Sequence, residues 1–295
     1  MSLGNAEIIR DQVLFRLREV PAAIKFEESI FALPFAYTGM ILASNGWPDW
    51  MVFLWITLAM VGGRTLGMAA NRLIDRKIDS SNPRSATRHL PKGTLKQIDM
   101  IVLIVLGFAL LMGSASQLNH LALILAPVAA IYLICQPYFK RFTWMANPLL
   151  GWALAIAPSA AWIGVTGKLT WEPVILSLAV AMWAGSFDII YHAQDLDFHL
   201  KEKLHSVVSS IGISKAFFMA KLMDVIAIAC LLILGLFMSL KWPYFVGAIL
   251  AGFILIFKYR IVSPSDVSKI GMTFYRINAY VSLIVFIGTL IAVLI

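Results

Sequence analysis

The chain has 295 residues, of which 60% are hydrophobic and only 14% charged, and its mean hydropathy is +0.83. Soluble domains average about 45–50% apolar and about 25% charged residues, so an ordinary soluble enzyme is excluded, as are a disordered chain, a coiled coil and, with two cysteines, a disulfide scaffold. The net charge of +8 reads as membrane topology rather than a nucleic-acid partner, and the apolar runs are continuous, which excludes a transmembrane barrel.

The class that remains is an all-α, polytopic membrane helical bundle. Residues 1–28 form a cytoplasmic N-terminal segment whose stretch 5–19 is amphipathic, with Ile8, Ile9, Val13, Leu14 and Leu17 opposing Arg10, Arg16 and Arg18 along the inner membrane surface. The polar first 25 residues do not read as a cleavable signal peptide. Nine transmembrane helices follow in a single domain over 29–295, at about 29–45, 50–70, 98–117, 119–136, 147–165, 172–191, 215–238, 243–260 and 276–295. Most of the 24 Lys and Arg residues fall in the N-terminal segment and in the loops after spans two, four, six and eight, with Lys258 and Arg260 counted among the last group. The opposite loops carry only Lys168 and Lys241. Positive residues mark the cytoplasmic face, so the expectation is an integral protein of the cytoplasmic membrane with its N-terminus inside and its C-terminus outside. Trp47-Pro48, Trp171-Glu172-Pro173 and Trp242-Pro243 each precede an even-numbered span, as interfacial anchors with proline in the first helical turn. Cys135 and Cys230 lie in apolar stretches and read as small core residues.

The carboxylates are the informative feature. Span two runs inward and ends in Asn71, Asp75 and Asp79, four apart and therefore on one face of a continuing helix. Span six ends in Asp188, Tyr191, His192, Asp195 and His199, again on one face, with Asp197 turned away. Like charges so spaced repel, and two acid-bearing helix ends on one membrane side make an oxygen-rich cluster that calls for a cation. Mg²⁺ suits it, as a hard cation held by a few carboxylates and completed by water and phosphate oxygens. Arg64 lies two turns deeper on the same face of span two, and an intramembrane arginine requires a polar cavity or a partner. Asn82-Pro83-Arg84 and Leu90-Pro91-Lys92-Gly93 make the loop after span two turn-rich, able to fold over the acids, while Lys140 and Arg141 cap span four. Acids for Mg²⁺ ringed by Lys and Arg describe a diphosphate site, and the apolar interior beside it suggests a prenyl diphosphate.

These spellings resemble the UbiA superfamily of intramembrane prenyltransferases. Asn71-x3-Asp75-x3-Asp79 is similar to its first Asp-rich motif and Asp188-x2-Tyr191-x3-Asp195 to its second. Lys25-Phe26-Glu27, Asn82-Pro83-Arg84-x3-Arg88-x-Leu90-Pro91, Lys140-Arg141-Phe142-Thr143 and Leu204-His205-Ser206 extend the likeness over most of the chain. The resemblance implies nine helices around a central cavity and transfer of a prenyl group to a hydroxylated aromatic acid, 4-hydroxybenzoate first, in ubiquinone biosynthesis. It implies Asn71, Asp75, Asp79, Asp188 and Asp195 as metal ligands. It makes Asp75, Asp188, Asp195, Arg64 and Tyr191 candidate catalytic groups, and Lys25, Asn71, Arg84, Arg88, Lys140, Arg141 and His199 candidate substrate contacts. Relatives carry Asp where this chain has His199, and Tyr where it has Gln136. A dihydroxynaphthoate acceptor on a menaquinone route, or a secondary transporter whose acids are ion sites, stand as the alternatives. Transporter sites favour the bilayer midplane, whereas these acids sit at helix ends.

Overall fold

A computed structural model describes residues 18–25, 29–267 and 270–295; the amphipathic stretch expected at 5–19 lies almost wholly outside the described residues. Among the described residues nine long helices alternate in direction: α1 Ser29–Ser44, α2 Trp50–Ser81, α3 Gln97–Leu118, α4 His120–Cys135, α5 Ala146–Thr166, α6 Trp171–His192, α7 Ile213–Phe237, α8 Trp242–Ile261 and α9 Gly271–Leu294. Eight described helices are long and apolar enough to cross a bilayer, and a ninth apolar stretch, Ala32–Ser44, is shorter. The chain is thus an integral membrane protein, and the nine expected spans are present as eight plus this shorter one.

Continuous apolar composition makes these helices, because a backbone in lipid must satisfy its own hydrogen bonds. Side chains mark the ends. Asp49 caps α2 by accepting from the Met51 amide at 2.8 Å, and Asn119 closes the tight α3–α4 turn by accepting from the Ala122 amide at 2.9 Å. Trp47, Trp171 and Trp242 are exposed at one end of the bundle, as interfacial anchors require.

The helices pack in two groups. α1, α5, α6, α7, α8 and α9 form a ring in which α5 packs on α6, α6 on α7, α8 on α9 and α1 on both α5 and α9. Its core runs through Phe35, Trp162, Leu176, Trp183, Leu231 and Val285. α2 packs against α3 and α4 through Ala59, Leu66, Leu111, Ala126 and Ala130. Small residues permit the closest crossings: a Cβ on Gly151 of α5 would stand 2.7 Å from the Gly185 amide nitrogen of α6. The acidic motif closes the second helix of each half, yet α1 and α2 scarcely touch whereas α5 and α6 pack along their length.

A cavity of about 740 Å³ lies between the groups, bounded by α1 to α6 with Asn278 of α9, and is mostly apolar. Val128 of α4 and Trp152 of α5 line it and are themselves solvent-exposed, so the cavity is open along those two helices. Cys230 is buried, as expected, but Cys135 is exposed. It is the last residue of α4, where the helix gives way to the 3-10 turn Gln136–Arg141 and no neighbour covers it.

Candidate active site at the acid-bearing end

At about 1.5 Å per residue the 32 residues of α2 span about 48 Å, well beyond a hydrocarbon core about 30 Å thick. The last turns therefore extend past the hydrocarbon core, and they carry Asn71, Asp75 and Asp79 on one face. Asp75 and Asp79 are buried, and Asn71 donates to Asp75 at 3.3 Å. Deeper on the same helix, Arg64 lines the cavity and donates to the Lys25 carbonyl at 3.2 Å; Lys25 lines it too.

The second motif departs from a continuous helix. α6 ends at His192, tightens into the 3-10 turn Ala193–Asp195, and resumes as the short helix Leu196–Lys201. Asp188 and Tyr191 line the cavity, and Asp195 is turned to the loop after α2. Arg84 holds Asp195 through a two-pronged ion pair, with Asn82 donating to the same carboxylate at 3.4 Å. Burial works against the Arg84 charge, but the bond to Asp195 and the nearby Tyr191 hold its pKa above the ordinary arginine value. Arg84 also stacks 4.4 Å from the Tyr191 ring centroid. His199 lies behind this face: it is buried, bonds Ser206 at 3.3 Å, and has its ring centroid 5.2 Å from that of His192. Asp197 is exposed, as a regular helix face requires.

Basic side chains from two segments, the turn after α4 and the loop after α2, close on the acids. Lys140 donates to Asp75 at 2.5 Å, Arg141 approaches the other Asp75 oxygen at 3.4 Å, and Arg88 pairs with Asp79 at 2.6 Å. The loop after α2, with its short helix His89–Lys92, thus folds over the acid cluster as its turn chemistry predicts. Every substrate-contact candidate but His199 stands at this mouth or lines the cavity.

Two groups escaped the sequence reading. Asn147, buried at the start of α5, donates to Asp188 at 2.7 Å and accepts from the Val207 amide at 2.9 Å; an Asn-Pro pair opening a span was the available signal. Lys258, read as a loop residue that reports topology, is instead fully buried and pairs with Asp224 of α7 at 2.7 Å. That correction follows from its position on the inward face of α8, where an acid on the adjacent helix compensates the charge.

The donor set fits a hard divalent cation. The groups are carboxylate oxygens, and Asp79 Oδ2 is buried without a hydrogen-bond partner among the described residues. Among the described residues no three His, Cys, Asp or Glu side chains gather on one point. That suits a cation held by one or two carboxylates and the phosphates of a ligand rather than by a closed protein cage.

The UbiA prenyltransferase family matches residues 32–287. A 4-hydroxybenzoate octaprenyltransferase of Methylobacillus flagellatus is 31% identical over 261 residues, 85% of this chain and 84% of that one. Another, of Vibrio campbellii, is 26% identical over 258 residues, 86% and 88% of the two chains. The apo structure of a UbiA homolog from Aeropyrum pernix K1 superposes with a TM-score of 0.82 at 27% identity, covering 90% of this chain and 98% of that one. A UbiA homolog from Archaeoglobus fulgidus, solved bound to DMAPP and Mg²⁺, shares the fold with a TM-score of 0.64 at 15% identity over 92% of this chain and 99% of its own. The chain belongs to the UbiA prenyltransferase family and is an intramembrane prenyltransferase.

Proposed function

We propose that this protein transfers a prenyl group from a prenyl diphosphate to the ring of a hydroxylated aromatic acid, with 4-hydroxybenzoate as the acceptor. The observation that carries this reading is the meeting of Asp75, Asp79, Asp188 and Asp195, from two helix ends, with Arg84, Arg88, Lys140 and Arg141 at the mouth of an apolar cavity. The names of the relatives from Methylobacillus flagellatus and Vibrio campbellii supply the acceptor.

Asn71, Asp75, Asp79, Asp188 and Asp195 are the residues that would hold Mg²⁺ with the diphosphate. Bound there, the metal neutralises charge on the departing diphosphate. Arg84, Arg88, Lys140 and Arg141 now neutralise the carboxylates; with a ligand present their donors turn to phosphate oxygens, a preorganised cationic frame for the leaving group. The allylic C–O bond breaks, diphosphate leaves with the electron pair, and a ring carbon of the electron-rich acceptor attacks the allylic cation. The ring proton then passes to a base. Tyr191, stacked on Arg84 at the cavity rim, is placed to orient the diphosphate and to screen the cation with its ring. Arg64 and Lys25, inside the cavity, are placed for the acceptor carboxylate or a phosphate. His199, behind His192, is a supporting group rather than a ligand. The apolar walls exclude water that would hydrolyse the cation, and the opening along α4 and α5 gives a long prenyl tail room in the lipid.

The site faces the cytoplasm, with the N-terminus inside and the C-terminus outside, because basic residues crowd the acid-bearing end. Purified protein in lipid nanodiscs, given Mg²⁺, geranyl diphosphate and 4-hydroxybenzoate, is expected to yield a prenylated acid by mass spectrometry, and EDTA is expected to remove it. Diphosphate-dependent stabilisation without product would reject this acceptor and turn the assay to dihydroxynaphthoate. The absence of both product and stabilisation would overturn the reading.

A further inference from the structure

Behind α2, on the side away from the acid cluster, a groove of about 680 Å³ lies between the last turns of that helix, the α4–α5 connection and residues 202–204. Four cations converge on it: Arg76 and Lys77 of α2, Arg141, and Lys203. Among the described residues no acid stands within ion-pairing distance of Arg76, Lys77 or Lys203; Glu202 is the one carboxylate on the lining. Lys203 is held in the left-handed region at φ 54, which fixes the turn that presents it. Topology alone puts basic residues on this face of a membrane protein, but it does not gather them around one hollow.

The hollow has a second character. Ile78 and Leu204 make part of its wall apolar, and Tyr138 forms its edge with the Arg141 guanidinium 4.9 Å from the ring centroid. Just beyond Tyr138, Phe142 is 75% exposed and Trp144 44% exposed on the same connection. Exposed aromatic rings on a segment between two spans settle at headgroup depth, so the groove opens at the level where phosphates of lipids and water-soluble phosphates both reach it. Arg141 Nε is buried and has no hydrogen-bond partner among the described residues, so this guanidinium is not saturated by its protein contacts.

We infer that this groove is a second anion site, built for a phosphate group and separate from the acid-lined site where the reaction takes place. Arg141 touches both, through Asp75 on one side and Tyr138 on the other, so an anion in the groove sits one side chain from the reaction site. The phosphate comes either from an anionic lipid headgroup or from free diphosphate released at the neighbouring site. The inference does not depend on the identity of the aromatic acceptor.

The test is native mass spectrometry of the full chain in detergent with EDTA, titrated in one arm with phosphatidylglycerol and in the other with inorganic pyrophosphate. The parent is expected to bind one equivalent saturably in at least one arm. An Arg76→Gln/Lys77→Gln/Lys203→Gln variant is expected to weaken that binding about a hundredfold, since each basic residue near an anionic surface strengthens it roughly fivefold. Should that variant fail to fold, Lys77→Gln/Lys203→Gln alters two exposed side chains only and is expected to lose about thirtyfold by the same reasoning. Lys92→Gln/Lys201→Gln/Lys215→Gln removes the same charge from exposed positions outside the groove and is expected to bind as the parent does. A loss confined to the lipid arm assigns a headgroup, and a loss confined to the pyrophosphate arm assigns free phosphate. Equal binding by parent and groove variants in both arms, or an equal loss in the control, overturns the inference.

Discussion

Lys258 is fully buried, 2.7 Å from Asp224 and 3.3 Å from the Ser186 hydroxyl, while the Tyr259 hydroxyl donates to the same Asp224 oxygen at 2.6 Å. A buried ion pair offsets a large desolvation penalty only while both partners stay. Lys258→Met leaves Asp224 uncompensated and is expected to cost about 3–5 kcal/mol of stability, whereas Lys258→Met/Asp224→Leu removes both charges and is expected to recover most of it. Thermal unfolding in detergent separates these outcomes, and a double variant as weak as the single would contradict the argument. This pair shows why single residues differ in legibility. Asp75 and Asp79 declare themselves by spacing within one helix, and so do Asp188 and Tyr191. Lys258 and Asp224 lie on different helices with no local pattern to join them, so Lys258 reads as one more basic residue near a span's end. Asn147 escapes for the same reason, because its partners Asp188 and Val207 are distant in sequence.

At the scale of elements, α5 and α6 owe their close crossing to glycine. A Cβ at Gly151 meets the backbone of α6, at 2.7 Å from the Gly185 nitrogen and 3.1 Å from the Ala181 carbonyl carbon. Backbone cannot yield as a flexible side chain does, so Gly151→Ala is expected to cost about 1–3 kcal/mol and to lower the melting temperature. Gly113→Ala, with open space around the new methyl, is expected to be neutral or slightly stabilising. Equal melting of the two variants would contradict the packing account. Hydropathy placed eight of the nine long helices to within about five residues, because a bilayer imposes length and composition together, whereas α2 runs on to Ser81, past the apolar span that ends near residue 70. It did not foresee that α6 breaks into a 3-10 turn before Asp195. At that break Asp195 is bonded to Arg84 and Asn82 of another loop, and a contact between residues more than 100 positions apart leaves no mark in local periodicity.

For the whole molecule, the two helix groups matter because each brings one half of the site. α2 carries Asp75 and Asp79, α6 carries Asp188 and Asp195, and the cavity between the groups runs from these acids to the opening along α4 and α5. Neither half alone surrounds a diphosphate, so the central claim is that both acid-bearing helix ends hold one Mg²⁺–diphosphate ligand together. The most direct measurement is the Mg²⁺-dependent binding of geranyl S-thiolodiphosphate, a donor analogue that resists ionisation, to the parent, Asp75→Asn and Asp188→Asn proteins in nanodiscs by calorimetry. Each single substitution is expected to weaken binding at least about tenfold, in line with the cost of losing a hydrogen-bonded charged partner, and a cooperative melting transition shows that each variant is folded. Parent-like affinity in either folded variant would contradict a site shared by the two helices.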